Sequence, residues 1–345
     1  MADIGRRPTL ADVARQAGVS LASASRVLNH TGPVSERMRR RVEATAAALG
    51  YEHVTPRPVP QDHPHRTVAV CIADIRNPFF AEVLLGIQDE ASDAGLHILL
   101  FITMEETGRE RRALDELSRL ALDGVILSGS RLPSQELAQI QSGQRVPYVL
   151  LNRCIQHPGI ACILVDLERI AYRATQHLLN LGHTRIAYIA GPTRSESSLA
   201  RRRGIEKALQ EKELALRPEW DVASFPNIEG GFQAMSALLA QPQEQQPTAV
   251  IAYNDMMAVG VLEAIRTHGL AVPQDISVVG FDDIALAAHT NPPLTTVAQP
   301  KYKLGQLAVR TLLQMQQQQT APAEGYILLE SPLIVRESTA RCPGS

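Results

Sequence analysis

Apolar side chains in residues 9–51 recur every three or four positions, in three short runs. That spacing predicts three amphipathic helices. Thr9, Ser20 and Ser35 stand where the runs begin, and their short hydroxyl side chains suit helix N-caps. Gly18 stands where the first run ends and can adopt the positive φ of a turn. We therefore expect a small unit of three helices.

A different pattern begins at Thr67, where short continuous apolar runs alternate with segments of helical spacing. This alternation is typical of a parallel α/β sheet. About 280 residues follow it, a length that favours two such lobes over one. Between the two patterns, residues 52–66 hold four prolines and almost no periodicity, which predicts a linker. The main predicted strands are TVAVCIAD, LHILLF, DGVILSG, VPYVLLN, RIAYIAGP, TAVIAYN and DISVVGFD.

The first two predicted helices have the spacing of a helix-turn-helix. Ala14 is small enough to let the second helix approach the first, and Gly18 suits the turn. The apolar inner face then comprises Val19, Ala24, Val27 and Leu28, which leaves Leu21, Ala22, Ser25, Arg26 and Asn29 on the outer face.

The outer face of the second helix has the chemistry of a DNA-binding surface. Its small residues let the backbone enter a major groove, and serine hydroxyls suit phosphates. Arg26 can pair with O6 and N7 of guanine. The alternative is an ordinary three-helix cap on the body, but a cap would bury its alanines rather than expose them beside an arginine.

Charge is unevenly distributed along the chain. Residues 1–66 hold ten Lys and Arg against six Asp and Glu, whereas the rest holds 24 against 30. A basic head on an acidic body indicates a nucleic-acid partner. No apolar segment follows the first arginines as in a signal peptide, and no apolar run reaches about 18 residues. We therefore expect a soluble, cytoplasmic protein without membrane partners.

Cysteine usage gives no sign of a metal site. The chain has four widely spaced cysteines, Cys71, Cys154, Cys162 and Cys342, and no CxxC or His/Cys cluster. Three of the four lie in apolar or strand-like stretches, where we expect buried, reduced thiols. We also find no Ser-His-Asp order, no P-loop, no GxGxxG after a strand and no paired carboxylates in a plausible cleft. The sequence therefore predicts no catalytic residues, metal or cofactor.

The chain resembles the LacI/GalR repressors throughout, except in residues 52–66. The resemblance begins with TLADVARQAGVSLASASRVLN and VSERMRRRVEATAAALGY, and it continues through IRNPFFAEVLLGI, LGHTRIAYIAGP, AYNDMMAVG, ISVVGFDD and LIVREST. GSRLP and PPLTTVAQPKY are most similar to the cytidine-repressor branch of that family.

The resemblance implies an α/β fold with an N-terminal helix-turn-helix headpiece and a two-lobed, periplasmic-binding-protein-like body with parallel sheets. The implied domains are a headpiece (1–51), a Pro-rich linker (52–66) and an effector-binding and dimerisation domain (67–345). Its N-lobe spans about 67–166 and 297–325, and its C-lobe about 167–296 and 326–338, with three crossovers between them. The expected DNA-binding residues are Thr9, Leu10, Ser20, Leu21, Ala22, Ser23, Ser25, Arg26, Asn29 and His30.

Ligands of such sheets bind where parallel strands end, and the family resemblance places its effector there. The expected effector residues are Phe79, Phe80, Asn152, Ser195, Ser197, Arg201, Phe225, Asn254 and Asp282. Phenylalanine faces would stack on a base or sugar, and the carboxylate of Asp282 would accept bonds from sugar hydroxyls. Asp255 is expected to cap its helix, and Leu167 stands where the family usually has Asn.

The implied function is a transcriptional repressor that acts as a homodimer on a pseudo-palindromic DNA operator. Its effector would be a nucleoside such as cytidine, with a ribose-like sugar or a purine as alternatives. The cytidine-repressor branch works beside the cAMP receptor protein, so that protein is a candidate partner. The competing class is a ligand-binding module without DNA function.

The linker departs from the family pattern. Much of the family carries there an Asn-x-x-Ala-x-x-Leu helix whose leucine wedges into the minor groove. Here Pro56, Pro58, Pro60 and Pro64 forbid a regular helix, and the segment has no leucine. Our hypothesis is an extended tether that couples the headpiece loosely to the body.

A loose tether predicts that the dimer tolerates variable separation of the two operator half-sites. Footprinting on operators whose half-site spacing is changed stepwise measures this tolerance. A sharp affinity optimum at a single spacing would contradict the hypothesis.

Overall fold

The structure, a computed structural model, describes residues 8–28, 34–49, 66–144, 146–318 and 326–342. The chain divides into two compact units, Met1–Pro64 and His65–Ser345. The expected DNA-binding residues Asn29 and His30, and residues 52–65 of the expected linker, lie outside the described residues. Arg66, the last residue of that linker, instead begins the first strand of the larger unit.

The smaller unit contains three helices, α1 (Leu10–Gln16), α2 (Leu21–Leu28) and α3 (Glu36–Leu49). Their expected N-caps are confirmed. The Thr9 hydroxyl and the Asp12 carboxylate form a capping box, and the hydroxyls of Ser20 and Ser35 accept bonds from backbone amides three residues on. Gly18 has a φ of +59° in the turn between α1 and α2.

The core of the smaller unit forms on the predicted apolar face of α2. Ala24 and Val27 are fully buried there, against Val13 from α1 and Val42 from α3. Burial of this face leaves the opposite face of α2 at the surface, as the periodicity predicts.

The larger unit alternates strands and helices. In chain order they are β1 (Arg66–Ile72), α4 (Pro78–Asp93), β2 (Leu96–Ile102), α5 (Thr107–Leu117), β3 (Gly124–Ser128), α6 (Ser134–Gln144), β4 (Tyr148–Leu151), β5 (Ile160–Val165), α7 (Leu167–Asn180), β6 (Ile186–Ala190), α8 (Glu196–Gln210), β7 (Asp221–Ala223), α9 (Ile228–Leu239), β8 (Ala249–Ala252), α10 (Asp255–Thr267), β9 (Ser277–Asp282), β10 (Thr295–Ala298), α11 (Lys301–Gln318), β11 (Tyr326–Leu329) and β12 (Leu333–Ile334). Short 3-10 helices span Pro218–Trp220, Gln243–Gln245 and Ala285–Ala288.

Two six-stranded sheets form the framework of this unit. The first has the strand order β11-β5-β4-β3-β1-β2 and is parallel throughout. The second has the order β12-β10-β9-β8-β6-β7 and is parallel except for the edge pair β10-β12. Central strands such as β3, β4, β6 and β8 are buried at every residue, which explains their continuous apolar runs. The expected α/β fold with two lobes is confirmed.

The chain crosses between the sheets three times: after β5, between β10 and α11, and between β11 and β12. The expected lobe boundaries are wrong near two of these crossings. Val297 and Ala298 belong to β10, which pairs with β9 in the second sheet. Tyr326–Leu329 forms β11, which pairs with β5 in the first sheet. Backbone pairing decides sheet membership, and hydrophobic patterning carries no record of the pairing partner.

Helices α4 and α11 pack with their backbones in close contact at Gly86 and Gly305. A Cβ on Gly86 would collide with the carbonyl of Tyr302, and one on Gly305 with the carbonyl of Val83. This contact anchors α4, whose first turn carries Phe79 and Phe80, against the helix that follows the second crossing.

The cysteines differ from the expectation in one pair. Cys154 and Cys162 form a disulfide, because the short turn between them brings their Cα atoms to 5.2 Å, within the range that a disulfide requires. Cys71 is a buried free thiol as expected, and burial raises its pKa to about 12. The pairing of Cys154 with Cys162 is thus a correction to the prediction of reduced thiols.

Across the described part of the chain, helices fall short of the length and apolar content that a membrane span requires.

Candidate functional site

Strands of both sheets end at a single cleft in the larger unit. The space between its walls is about 660 Å³, including space that is open to solvent. It lies at the carboxyl ends of the parallel strands, where such sheets bind ligands. Its wall comprises Asp74, Asn77, Phe79, Phe80, Glu105, Ser128, Gly129, Ser130, Arg131, Leu151, Asn152, Arg153, Glu196, Ser197, Arg201, Pro226, Tyr253, Asn254, Asp282 and Gln299.

The structure brings most of the expected effector residues together on this wall. They are Phe79, Phe80, Asn152, Ser197, Arg201, Asn254 and Asp282. They lie at the end of, or in the segment directly after, five strands that are far apart in sequence.

Ser195 and Phe225 lie off the wall, contrary to expectation. The Ser195 side chain is fully buried, where its Oγ accepts a bond from the amide of Ser198 (3.2 Å) as the N-cap of α8 and contacts the Tyr253 hydroxyl (3.1 Å). Phe225 is 44% exposed, and its neighbour Pro226 lines the cleft in its place.

The cap of α10 also differs from the prediction. The N-cap is Asn254, whose Oδ1 accepts a bond from the amide of Met257 at 2.8 Å. Asp255 is fully buried instead, and it accepts bonds from the Thr296 hydroxyl (2.5 Å) and the Ile284 amide (2.9 Å). Asp255 therefore joins α10 to strand β10 from behind the cleft.

An aromatic corner forms one end of the cleft. Asn77 caps α4 and accepts a bond from the amide of Phe79 (3.0 Å), which fixes the first turn of the helix. The rings of Phe79 and Phe80 are almost perpendicular, with centroids 5.1 Å apart, and both are at least nine-tenths buried. Such rings offer a preformed apolar surface to a flat ligand.

Arg201 lies between two aromatic rings on the opposite lobe. Its guanidinium carbon is 4.6 Å from the ring centroids of both Tyr253 and Phe281, a cation-π arrangement on each side. One guanidinium nitrogen donates to the carbonyl of Ser197 (3.2 Å), while the Nε is buried with no partner among the described residues. The rings thus hold a charged group in place while one of its donors stays available.

Asp282 ends β9 with a buried carboxylate and a φ of +113°, in the region that favours glycine. Burial raises the pKa of Asp282 to about 6, against the opposing effects of the Arg201 guanidinium and the Gln299 amide. The nearest Arg201 nitrogen is 3.7 Å away, too far for a good hydrogen bond. The ammonium of Lys301 donates to the carbonyls of Asp282 (2.8 Å) and Asp283 (2.7 Å) and holds the strained turn.

Gln299 is a cleft residue that the sequence analysis missed. Its Nε2 donates to Oδ1 of Asp282 (2.6 Å), and its Oε1 accepts from Nδ2 of Asn152 (3.1 Å). Oδ1 of Asn152 accepts in turn from the amide of Val165 (3.1 Å). Because Gln299 lies in the crossing between β10 and α11, it joins the end of the second sheet to the first by two hydrogen bonds.

Five further charged residues on the wall were also missed, namely Asp74, Glu105, Arg131, Arg153 and Glu196. Arg131 and Glu105 form a buried ion pair at 2.7 Å, and Arg153 lies directly after Asn152. Both arginines follow the carboxyl end of a predicted strand, a signal that could have identified them. Glu105 precedes α5 in a turn with positive φ, which no sequence pattern marked.

The outer face of α2 forms the candidate DNA-binding surface of the smaller unit. Leu21, Ala22 and Arg26 are exposed, and Ser23 and Ser25 are half-buried. The other expected residues in the described ranges have structural contacts. Thr9 bonds to Asp12, Leu10 packs against the core, and Ser20 caps α2. No cluster of three His, Cys, Asp or Glu side chains able to hold a metal occurs among the described residues.

Comparisons with known proteins agree with this architecture. Residues 9–53 match the model of bacterial regulatory proteins of the lacI family, and residues 175–339 match a periplasmic binding protein-like domain. The chain is 35% identical over 339 residues to the HTH-type transcriptional repressor CytR of Escherichia coli strain K12, covering 97% of each chain. It is 34% identical to the ribose operon repressor of Haemophilus influenzae, covering 96% of this chain and 98% of that one.

A solved structure extends the likeness to three dimensions. The lac repressor dimer bound to operator and the anti-inducer ONPF superimposes with a TM-score of 0.73 and 31% identity, over 97% of this chain and all of that one. The chain belongs to the LacI family of bacterial regulatory proteins.

The raised pKa of Asp282 predicts a pH-dependent affinity for ligands with hydroxyl groups. The ionised carboxylate accepts hydroxyl hydrogen bonds more strongly, so affinity should level off above about pH 7 and fall as the pH decreases through about 6. Calorimetric titration between pH 5 and 7.5 measures this. Asp282→Asn should lose the dependence and bind at every pH about as weakly as the wild type does near pH 5. If the affinity of Asp282→Asn still depended on pH, the dependence would come from another cleft carboxyl, such as Glu105, and the prediction would be contradicted.

Proposed function

We propose that this protein is a DNA-binding transcriptional repressor whose affinity for a pseudo-palindromic operator is set by a small molecule bound in the cleft. The observation that carries the proposal is the combination, in one chain, of an α2 face with exposed small residues and a polar cleft at the strand ends. The LacI family membership supports the same combination.

The α2 face supports major-groove binding. Leu21 and Ala22 offer apolar contacts to thymine methyl groups, and Arg26 is the long hydrogen-bonding side chain among the described residues of the helix. Serine hydroxyls at the start of the helix suit phosphates. With one strong base contact, each headpiece should have modest specificity of its own.

For the effector, we propose a nucleoside such as cytidine. The Phe79 and Phe80 rings would stack on the base, and Asp282 with the unpartnered Nε of Arg201 would bind ribose hydroxyls. The similarity to CytR supports this class. The similarity to the ribose operon repressor keeps a ribose-like sugar as an alternative, and a purine would use the same stacking surface. Cooperation with a cAMP receptor protein stays a prediction.

The experiment that tests the function is a gel-shift titration at fixed, stated salt, with operator and random duplex, with and without cytidine. We expect operator binding that cytidine changes. Ligand at about 100 times Kd should also stabilise the protein by about 2.7 kcal/mol. Arg26→Ala should lose about 1–3 kcal/mol of discrimination per half-site. The control Arg41→Ala removes an exposed arginine of α3. It should change the affinity for operator and for random DNA by the same factor.

Equal binding of operator and random duplex would favour the competing class, a ligand-binding module without DNA function. If the protein bound operator but did not respond to nucleosides, ribose or purines, the proposed effector class would be wrong. The proposed DNA-binding function would still hold.

A homodimer is part of the proposal, because one headpiece can contact only a half-site. An exposed apolar patch on α4 and edge strand β2, formed by Ile75, Leu84, Leu85, Ile98 and Leu100, suits a second copy of this chain. The lac repressor structure that the chain resembles is a dimer on operator.

A substitution in this patch tests the dimer. Leu85 is 57% exposed, so Leu85→Glu should leave the fold intact, while a buried charge at the interface should shift the sedimentation mass from two chains to one. The control Leu120→Glu, at a leucine that is 49% exposed and lies outside the patch, should stay dimeric. Dimers of unchanged stability in Leu85→Glu would place the interface elsewhere.

A further inference from the structure

Among the three arginines of the cleft wall, Arg153 differs in having no ion pair within the described residues. It follows β4 beside Asn152 and is nine-tenths buried on the cleft wall. Its terminal nitrogens donate to neutral oxygens, those of Ser130 (3.2 Å to Oγ, 3.4 Å to the carbonyl) and Ser134 (3.0 Å to Oγ). Its Nε is buried without a hydrogen-bond partner in the described part of the chain.

The other two cleft arginines have carboxylates beside them. Arg131 is 2.7 Å from Glu105, and Arg201 is 3.7 Å from Asp282. For Arg153, no described carboxylate lies within ion-pair distance, and burial lowers the pKa of its guanidinium. A buried charge is unfavourable unless an opposite charge or a full set of hydrogen bonds compensates it.

A second arginine, Arg131, lies beside Arg153 on the same side of the cleft. Arg131 and Arg153 both donate to the carbonyl oxygen of Ser130, at 3.3 and 3.4 Å, so their guanidiniums converge on one atom. Glu105 forms an ion pair with Arg131, whereas Arg153 has, among the described carboxylates, only the longer-range attraction of Glu196 and Glu110. Two converging guanidiniums, one of them without an ion pair among the described residues, match the geometry with which arginine binds phosphate and carboxylate oxygens.

We propose that Arg153 binds an anionic group of the effector, a phosphate ester or a carboxylate. The preferred ligand is then an anionic derivative, such as a nucleoside 5′-monophosphate or a sugar phosphate, and the neutral compound binds more weakly. This inference rests on the proposed effector site and narrows its ligand class. Glu196, across the same cleft at the start of α8, is the alternative partner that the test must separate.

Matched ligand pairs test the proposal by calorimetry at constant ionic strength. The pairs are cytidine with cytidine 5′-monophosphate, and ribose with ribose 5-phosphate and with ribonate, which separate the phosphate from the carboxylate. We expect the anionic member to bind at least about tenfold tighter. Arg153→Gln should remove that advantage and change neutral binding little. Arg153→Lys should retain part of it, and the control Arg119→Gln, an exposed arginine off the cleft wall, should retain all of it.

Neutral ligands that bind as tightly as their anionic partners would overturn the proposal, and so would an Arg153→Gln variant that weakens both equally. Either result leaves the repressor function intact, because operator binding is measured separately.

If none of the organic ligands binds, inorganic phosphate still decides between the alternatives. Millimolar phosphate should raise the melting temperature of the wild type over matched chloride, and it should fail to do so in Arg153→Gln. Equal effects on both proteins, or none on either, would overturn the proposal and favour Glu196 as the partner of Arg153. If the wild type bound operator no more tightly than random duplex, that result would instead contradict the proposed function.

Discussion

The buried carboxylate of Asp282 is stabilised by groups from distant parts of the chain. Gln299 donates to it from the crossing before α11, Arg201 faces it from α8, and Lys301 holds the carbonyl of the same residue. A carboxylate in a buried site needs such partners, since desolvation otherwise favours its neutral form. The segment that crosses from β10 to α11 is therefore held by the carboxylate at the end of β9. Gln299, in the same segment, also bonds to Asn152 at the end of a strand of the other sheet. A ligand that bonds to Asp282 competes for these partners, which offers a physical route from the cleft to the arrangement of the lobes.

The cleft contains side chains that are held in fixed positions and buried donors that lack a hydrogen-bond partner among the described residues. The Phe79 and Phe80 rings and the Arg201 guanidinium are held by packing, by a capped helix and by two flanking aromatic rings. The buried Nε atoms of Arg201 and Arg153 have no partner among the described residues. Buried donors are nearly always bonded in folded proteins, so these two unpartnered atoms are exceptions within the described part of the cleft. Preorganised donors of this kind favour specific binding, since the protein loses little conformational freedom when the ligand enters.

Local features were predictable wherever short-range chemistry decides them. The caps at Thr9, Ser20 and Ser35, the turn at Gly18 and the buried face of α2 follow from side-chain type and helical period. The alternation of strands and helices, with polar side chains at strand ends, also predicted most of the expected effector residues that line the cleft. Predictions that had to choose between adjacent residues of similar chemistry, or between two roles of one residue, failed in two cases. Asn254 rather than Asp255 caps α10, and Ser195 is itself a cap instead of a cleft residue.

The sequence by itself determined the helix-turn-helix, the class of the body and the strand ends where a ligand would bind, because periodicity, capping and turn chemistry act over a few residues. Only the tertiary structure decided which sheet contains β10 and β11, that Cys154 pairs with Cys162, and that Gln299 bonds to both Asp282 and Asn152. It also showed that Arg131 has an ionic partner and Arg153 has none among the described residues. These outcomes depend on distances between residues that are up to 164 positions apart in the chain, as for the paired residues of β11 and β5, and on how deeply each charge is buried. Neither quantity is encoded in local pattern, since both arise when the two sheets pack together.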